Sequence, residues 1–445
     1  MGNYEMALGD KPLIGFFPSF SSMGETIPLV KIAQAYCDAG GKALFFSHHR
    51  TYEHFAEERG FRIVRLDYLP ENKPEEIKQL YDKGIPYEKI ALRKMTKEAI
   101  EKAVREEINS FKENKVELIV SASMFTCSIS VRAVKIPLIV VASGVLTAPY
   151  FTSGYATFPE NYENFLTKIV PHRVKNRLTK WYLLHNKKLT RAFNNVASRY
   201  HLAPFKHLTD ILRGDHTFIC DDIHFLGVQP SKEFPLENFI GPIIFGSSDE
   251  TQKNELEADI EKHLQRPGKS ILITLGSMYN YSNLFPVIIN ALQNTDYNII
   301  AVCSDMKNSG IANIPENILL KEFVPLDKTL QKVDLAITHG GRGTIYSVAY
   351  AGKPAICIPV IFEQQYNIDN LVRAGAGIHL SKKNLDPEKI LTAIHTIFDN
   401  YALFLQNAQQ LSKRIPKESG EKKAVKRIIE IQQLTQKRDT RDQFT

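Results

Sequence analysis

Residues 337–367 read ITHGGRGTIYSVAYAGKPAICIPVIFEQQYN, and this stretch decides the fold. Leu335, Ala336, Ile337 and Thr338 form a short apolar run that ends at His339, Gly340, Gly341, Arg342, Gly343 and Thr344. Such a run ahead of a glycine turn predicts a buried parallel strand feeding a helix. The clustered glycines let the backbone approach a ligand closely, and the helix after them aims free N–H groups and a positive dipole end at it. A diphosphate suits that place, with His339 and Thr344 adding side-chain hydrogen bonds. Ile345, Val348 and Ala349, with Tyr346, have the spacing of a helix packed on its sheet. Gly352 and Lys353-Pro354 end that helix before a second apolar run, Ala355 to Val360. Phe362-Glu363-Gln364-Gln365-Tyr366-Asn367 then reads as a loop at the carboxyl end of this strand, the edge of an open α/β sheet where ligands bind.

The ordered set H-G-G-x-G-T, G-x-P, an apolar strand and E-Q-x-x-N resembles the signature of the glycosyltransferase family 1 group. That group includes UDP-glucosyltransferases and macrolide, glycopeptide and sterol glycosyltransferases. The likeness continues in ILITLGS at 271–277, similar to the family's first strand and phosphate loop. It continues too in Ile314 to Asn317 with Lys321 to Leu326, and in Pro235 to Pro242 ahead of a linker. The match is strong across 235–380 and weaker, though ordered, across 12–140. The resemblance implies that Phe323 stacks on the nucleotide base in place of the family's common Trp, while the Val324 backbone reads the base edge. It implies that Gly276, Ser277, His339, Gly341, Gly343 and Thr344 hold the diphosphate, and that Glu363 and Gln364 hydrogen-bond the transferred sugar. The chain departs from the family at Ser347, where many UDP-using members carry a ribose-binding Glu. UDP and dTDP donors both stay open.

The amino-terminal half opens with the apolar strand Pro12 to Pro18, followed by Ser19 to Pro28. Relative to the family's G-H-x-x-P pattern, Glu25 stands in place of the histidine between Gly24 and Pro28. A helix over 27–40, with Leu29, Ile32, Ala33 and Tyr36 at core spacing, puts Glu25 at its first turn. Inverting transfer needs a base to take the acceptor hydroxyl proton, and a carboxylate serves if its surroundings raise its pKa. The family's histidine is oriented by an Asp that corresponds to Ala122 here, and a carboxylate base has no imidazole tautomer to fix. The plain alternative for Glu25 is a first-turn acid favoured by the helix dipole. His48 and His49, after the strand 43–46, are a reserve base or solvated loop residues. Phe20 and Phe125 are candidates for an acceptor pocket.

At 445 residues, with 43% hydrophobic and 24% charged residues, the chain is globular and long enough for two cores. It has no apolar run long enough to span a bilayer and no amino-terminal signal, so cytoplasmic residence is expected. Cys37, Cys127, Cys220, Cys303 and Cys357 are isolated, with neither metal spacing nor a disulfide framework. Asp221-Asp222 lacks the D-x-D spacing that favours a diphosphate-bound ion, so no metal is expected. The net charge of +7 is uneven: 165–209 holds ten Lys and Arg and no acid. Within it Val174, Leu178, Trp181 or Tyr182, then Leu189, Phe193, Val196 and Tyr200, recur at helical spacing. A basic amphipathic helix with Trp can lie on an anionic membrane, although a charge-rich helix is commonly just a solvated face. No nucleic-acid motif accompanies it.

The expected fold is α/β of the GT-B type, two facing Rossmann-like domains with a cleft between them. Residues 1–240 would bind the acceptor, 241–270 would be a linker, 271–410 would bind the nucleotide sugar, and 411–445 would return as a helical tail to the first domain. The expected function is inverting, metal-independent transfer of a hexose from a UDP-sugar, or a dTDP-sugar, to a hydroxyl of an apolar small molecule or lipid. No cofactor is needed beyond the donor. The alternatives are a catalytically inactive nucleotide-sugar-binding scaffold and a sugar-nucleotide epimerase on the same fold.

Overall fold

Continuous apolar runs such as Ile14 to Phe17, Leu118 to Val120 and Ile271 to Ile273 are buried, as strands covered on both faces by helices must be. The computed structural model describes residues 12–67, 76, 79, 80, 83, 85, 87–185, 187, 188, 190–232, 235–244, 254–276, 284–303, 314–383, 385–416 and 418–442. Among them, β1 (Leu13–Pro18), β2 (Lys42–Ser47), β3 (Ile63–Arg65), β4 (Leu118–Ala122), β5 (Leu138–Ala142) and β6 (His216–Ile219) form one sheet in the order β3-β2-β1-β4-β5-β6. A second sheet has the order β12-β11-β10-β7-β8-β9, from β7 (Ser270–Thr274), β8 (Asn298–Val302), β9 (Ile318–Lys321), β10 (Leu335–Thr338), β11 (Ala355–Cys357) and β12 (Gly377–His379). All pairings are parallel.

Read from its other end, the second order repeats the first, and each is the doubly wound order with one reversal. The reversals fall between β1 and β4, which pair as far as Pro18 and Ala122, and between β7 and β10, which pair as far as Thr274 and Thr338. The loops leaving those strands therefore diverge to opposite faces and open a crevice at each carboxyl edge. Glu25 follows β1, Gly276 follows β7 and His339 follows β10.

Six helices matter below: α1 (Met23–Asp38), α2 (Lys97–Glu113), α3 (His172–His185), α4 (Arg342–Ala351), α5 (Phe362–Arg373) and α6 (Gly420–Asp442). Helix α1 begins at Met23, earlier than residue 27, and carries Pro28 inside it. The expected loop 362–367 is instead the start of α5, because Gln364 Oε1 accepts from the Val360 and Ile361 N–H groups at 2.8 and 3.3 Å and so caps a helix there. Among the described residues the tail 411–442 is not one continuous helix. Pro416 makes the residue before it extended, and Ile415 has ψ 120, so the helix Tyr401–Arg414 ends and α6 starts afresh at Gly420. Ala424, Val425, Ile428 and Ile431 of α6 pack into the first half's core with Leu29, Ile32 and Tyr36 of α1. The central part of the linker, 245–253, lies outside the described residues, as do Ser277 and Leu189.

Candidate active site

The glycine turn is built around His339, whose ring is buried with only 7% exposure. A Cβ at Gly341 would stand 2.4 Å from His339 Nε2, and one at Gly276 would stand 2.5 Å from its Cε1. Both positions are bare because the imidazole lies between them. Gly276 also has φ +83, which a side chain would oppose. Burial lowers the His339 pKa to about 4, against a backbone hydrogen bond with Thr274, so the ring is neutral near pH 7. Asn367, fully buried, donates from Nδ2 to the Gly340 carbonyl at 3.2 Å and ties the turn to α5. Nothing lies within 4 Å of a Cβ at Gly343, so open space faces the first turn of α4. Thr344 is half-buried in that turn, while the Ser347 hydroxyl donates to the Gly343 carbonyl at 2.9 Å. Among the diphosphate candidates, Gly276, His339, Gly341, Gly343 and Thr344 therefore share one corner.

Phe323 is half-buried and Val324 buried, both between β9 and the helix Leu326–Lys332. Glu363 and Gln364 occupy the first turn of α5, and the Gln364 carbonyl oxygen is engaged by the backbone as described. Burial pushes Glu363 up to about 7; the nearby Glu25 and Asp221 charges add to this and Arg342 opposes it.

Arg342, the residue between the turn's glycines and not among the expected site residues, links the two halves. Its Nη2 donates to the Gly24 carbonyl at 2.9 Å. Burial works against its charge, but Cys220, Asp221, Glu363 and Glu25 outweigh that and hold its pKa above the ordinary value. A cation at a helix N-terminus opposes the dipole, so Arg342 depends on these carboxylates. The Glu25 and Glu363 charges, one from each half, both favour the charged guanidinium. The Ser19 hydroxyl donates to Glu25 Oε2 and lies 3.0 Å from the Ser21 hydroxyl, which orients the carboxylate. The signal for Arg342 was present in the H-G-G-R-G-T string; for Ser19 there was none.

Other candidates fall elsewhere. His48 is fully buried, with Nε2 3.0 Å from Glu107 Oε1 and Nδ1 2.6 Å from the Asp67 carbonyl. Glu107 of α2 also accepts from Thr126 and Ser130. Burial disfavours the charged ring, yet Glu107 holds its pKa above the ordinary value. His48 is therefore a member of an internal polar network and not a solvated loop residue or a reserve base. Its neighbour His49 is also buried. Phe20 has no exposed surface and packs in the first core 5.9 Å from Phe45, so its ring serves the core rather than an open pocket. Its φ of 54 turns the chain from β1 towards Glu25. Phe125 is half-buried against Phe193. Asp221 is fully buried and accepts from the Gly144 N–H at 2.5 Å; Asp222 caps the helix Ile223–Leu226 while its N–H donates to the Tyr346 hydroxyl at 2.8 Å. Among the described residues no group of three His, Cys, Asp or Glu is placed to hold a metal ion, and no helix is long and apolar enough to cross a membrane.

A strap over 150–163 fixes α5 from the first half. Glu160 N–H donates to Gln365 Oε1 at 2.8 Å, Gln365 Nε2 to the Phe158 carbonyl at 3.1 Å, Thr157 Oγ1 to Asp369 at 2.6 Å, and Tyr366 packs against Tyr150 and Phe151.

Residues 286–431 match the family described as erythromycin biosynthesis protein CIII-like, C-terminal domain. The chain is 25% identical over 192 residues to the NDP-glycosyltransferase YjiC of Bacillus subtilis (strain 168), covering 43% of this chain and 47% of that protein. It spans about half the length of the curated relatives it matches. Spinosyn forosaminyltransferase SpnP superposes with a TM-score of 0.65 at 15% identity, over 94% of this chain and 99% of that one. Glycosyltransferase VinC in complex with DTDP does so with a TM-score of 0.60 at 14% identity, over 94% and 99%. The chain has the GT-B fold, and its residues 286–431 are similar to the erythromycin biosynthesis protein CIII-like C-terminal domain.

Proposed function

We propose that this chain is an inverting, metal-independent glycosyltransferase that moves a hexose from a nucleoside diphosphate donor to a hydroxyl of an apolar acceptor. The observation that carries the reading is the Arg342–Gly24 hydrogen bond, which brings the first turn of α1, with Glu25, to the glycine turn that holds His339. The donor diphosphate lies at the N-terminus of α4, where the backbone N–H groups of the turn and the Arg342 charge balance the leaving group. Phe323 and Val324 take the base. Glu363 and the Gln364 amide nitrogen take sugar hydroxyls, and Ser277 joins the diphosphate set through its place in the motif. Glu25, oriented by Ser19, accepts the acceptor hydroxyl proton as that oxygen bonds to the anomeric carbon. The bond from that carbon to the diphosphate breaks on the opposite face, and its electron pair leaves with the nucleotide. DTDP in VinC and the Ser347 hydroxyl, already bonded to the Gly343 carbonyl, both favour trying dTDP as well as UDP donors.

The test is incubation with UDP-glucose, UDP-galactose, UDP-GlcNAc and dTDP-glucose, in EDTA, with a library of lipid, sterol and phenolic hydroxyl compounds. Acceptor-dependent nucleotide release with a hexose mass gain is expected, with inverted anomeric configuration in the product. Nucleotide binding with no turnover for any pair would sink the proposal. An unchanged rate in Glu25→Ala would remove the base assignment.

A further inference from the structure

The basic segment does not place its apolar residues as a core-packing helix does. Along α3 the inward positions Lys175 and Thr179 are polar and only Leu184 is a buried apolar residue among those described, while Val174, Leu178, Trp181 and Tyr182 face out. Lys175 is satisfied in place by Glu163 at 2.5 Å and lies over the Phe158 ring. The short helix just before, Phe165–Lys168, extends the pattern: Phe165 is 81% exposed, Leu166 69% and the following Ile169 76%. A helix on a soluble core buries such residues and exposes its lysines. Arg173 and Arg177 are exposed beside this apolar stripe, and Lys168 and Lys187 extend the charge at its two ends. The later part of the segment is ordinary core, with Phe193 and Val196 buried against Ile100 and Val104 of α2.

We propose that the outward face of Phe165–His185 docks on an anionic lipid surface. Charge complementarity selects this occupant. With Lys168, Arg173 and Arg177 exposed on it and no acid in 165–209, the same face on a second copy would be repelled, whereas lipid phosphates attract it. Its apolar side chains and Trp181 then enter the headgroup boundary, the arrangement of a helix lying in the interface plane. The face is tied to the candidate site. Asn176 accepts from the Phe158 N–H at 2.9 Å, and Lys180 donates to the Thr152 carbonyl at 3.4 Å, so α3 holds the strap that clamps α5, which carries Glu363. A docked chain has its candidate site one strap away from the bilayer. Docking does not depend on the transfer reaction.

Trp181 is the chain's single tryptophan, so its fluorescence reports this face alone. With the full chain and vesicles of phosphatidylcholine with or without phosphatidylglycerol, we expect sedimentation with the anionic vesicles, weakened by salt, and a blue shift with quenching by brominated lipid. Arg173→Gln with Arg177→Gln should weaken binding by roughly five-fold per cation removed. Ile169→Gln with Leu178→Gln should abolish the blue shift without lowering Tm, because both side chains are already exposed. No binding to anionic vesicles, or binding with unchanged Trp181 emission, would overturn the proposal. Self-association that these same Gln variants abolish would overturn it in favour of a second copy.

Discussion

Arg342 Nη2 donates to the Gly24 carbonyl at 2.9 Å, and Pro28 is the residue that leaves that carbonyl open. In an α-helix the Gly24 carbonyl would accept from the N–H four residues on, but that residue is Pro28, which has none. The orphaned acceptor lies in the first turn of α1, beside Glu25, and a guanidinium from the other half takes it. A proline in one sequence segment and an arginine in another, more than 300 residues away, thus join the two halves at the candidate site.

Arg342→Ala should therefore lower kcat/KM by about ten- to a hundred-fold, corresponding to loss of a charged hydrogen bond of about 1.5–3 kcal/mol. Arg342→Lys should recover part of this, since charge returns without the fork. Steady-state kinetics of the three proteins with one donor and acceptor pair checks the order.

Glu363 predicts a definite pH dependence. Its pKa rises in the folded state from 4.5 to about 7, so below pH 4.5 its stabilising contribution is fully present, and it is lost as pH rises through 7. Glu363→Gln should remove this loss, amounting to up to about 3 kcal/mol across that window. Denaturant unfolding at pH 5 and pH 8 should show the variant gaining on the parent at the higher pH. His339, lowered to about 4, has the opposite slope, with stability lost as pH falls from 6.5 through 4. Comparing variant with parent cancels it.

The glycines differ in what they permit. Gly341→Ala should displace His339 and cost about 1–3 kcal/mol, as overpacking does, along with nucleotide affinity. Gly343→Ala meets nothing within 4 Å and should gain about 0.5–1 kcal/mol of helix stability. If a diphosphate sits against that position, nucleotide binding falls all the same. Paired unfolding and calorimetric titrations separate the two effects.

Ile428→Ala, in a fully buried position where α6 meets α1, should cost about 2–5 kcal/mol. Phe20→Ala should likewise lower Tm along with activity, since its ring is core. Thermal unfolding measures both.

Ser19→Ala should lower kcat with little change in either KM, because the hydroxyl orients Glu25 without reaching a substrate in the proposed reaction. Restored activity in Ser19→Thr would mark orientation as the cause.

The apolar runs and the glycine turn were legible because buried parallel strands and helix starts leave local patterns, and these sufficed for the His339 turn, while the doubly wound architecture was implied by the family resemblance and its strand order came from the structure. Local pattern also put Glu25 in the first turn of a helix. It misjudged 362–367, because a helix capped by its own Gln364 carries no ordinary N-cap residue. What only the tertiary structure decided are relations between distant segments. Two adjacent histidines read alike, and burial beside Glu107 made His48 an internal partner. The basic amphipathic segment left a membrane face and a plain solvated face both open in the sequence, and only packing showed Leu178 and Trp181 turned outward. The hydrogen bond of Arg342 to Gly24 could not be read, since a charge's partners depend on through-space distance, which a one-dimensional pattern does not hold.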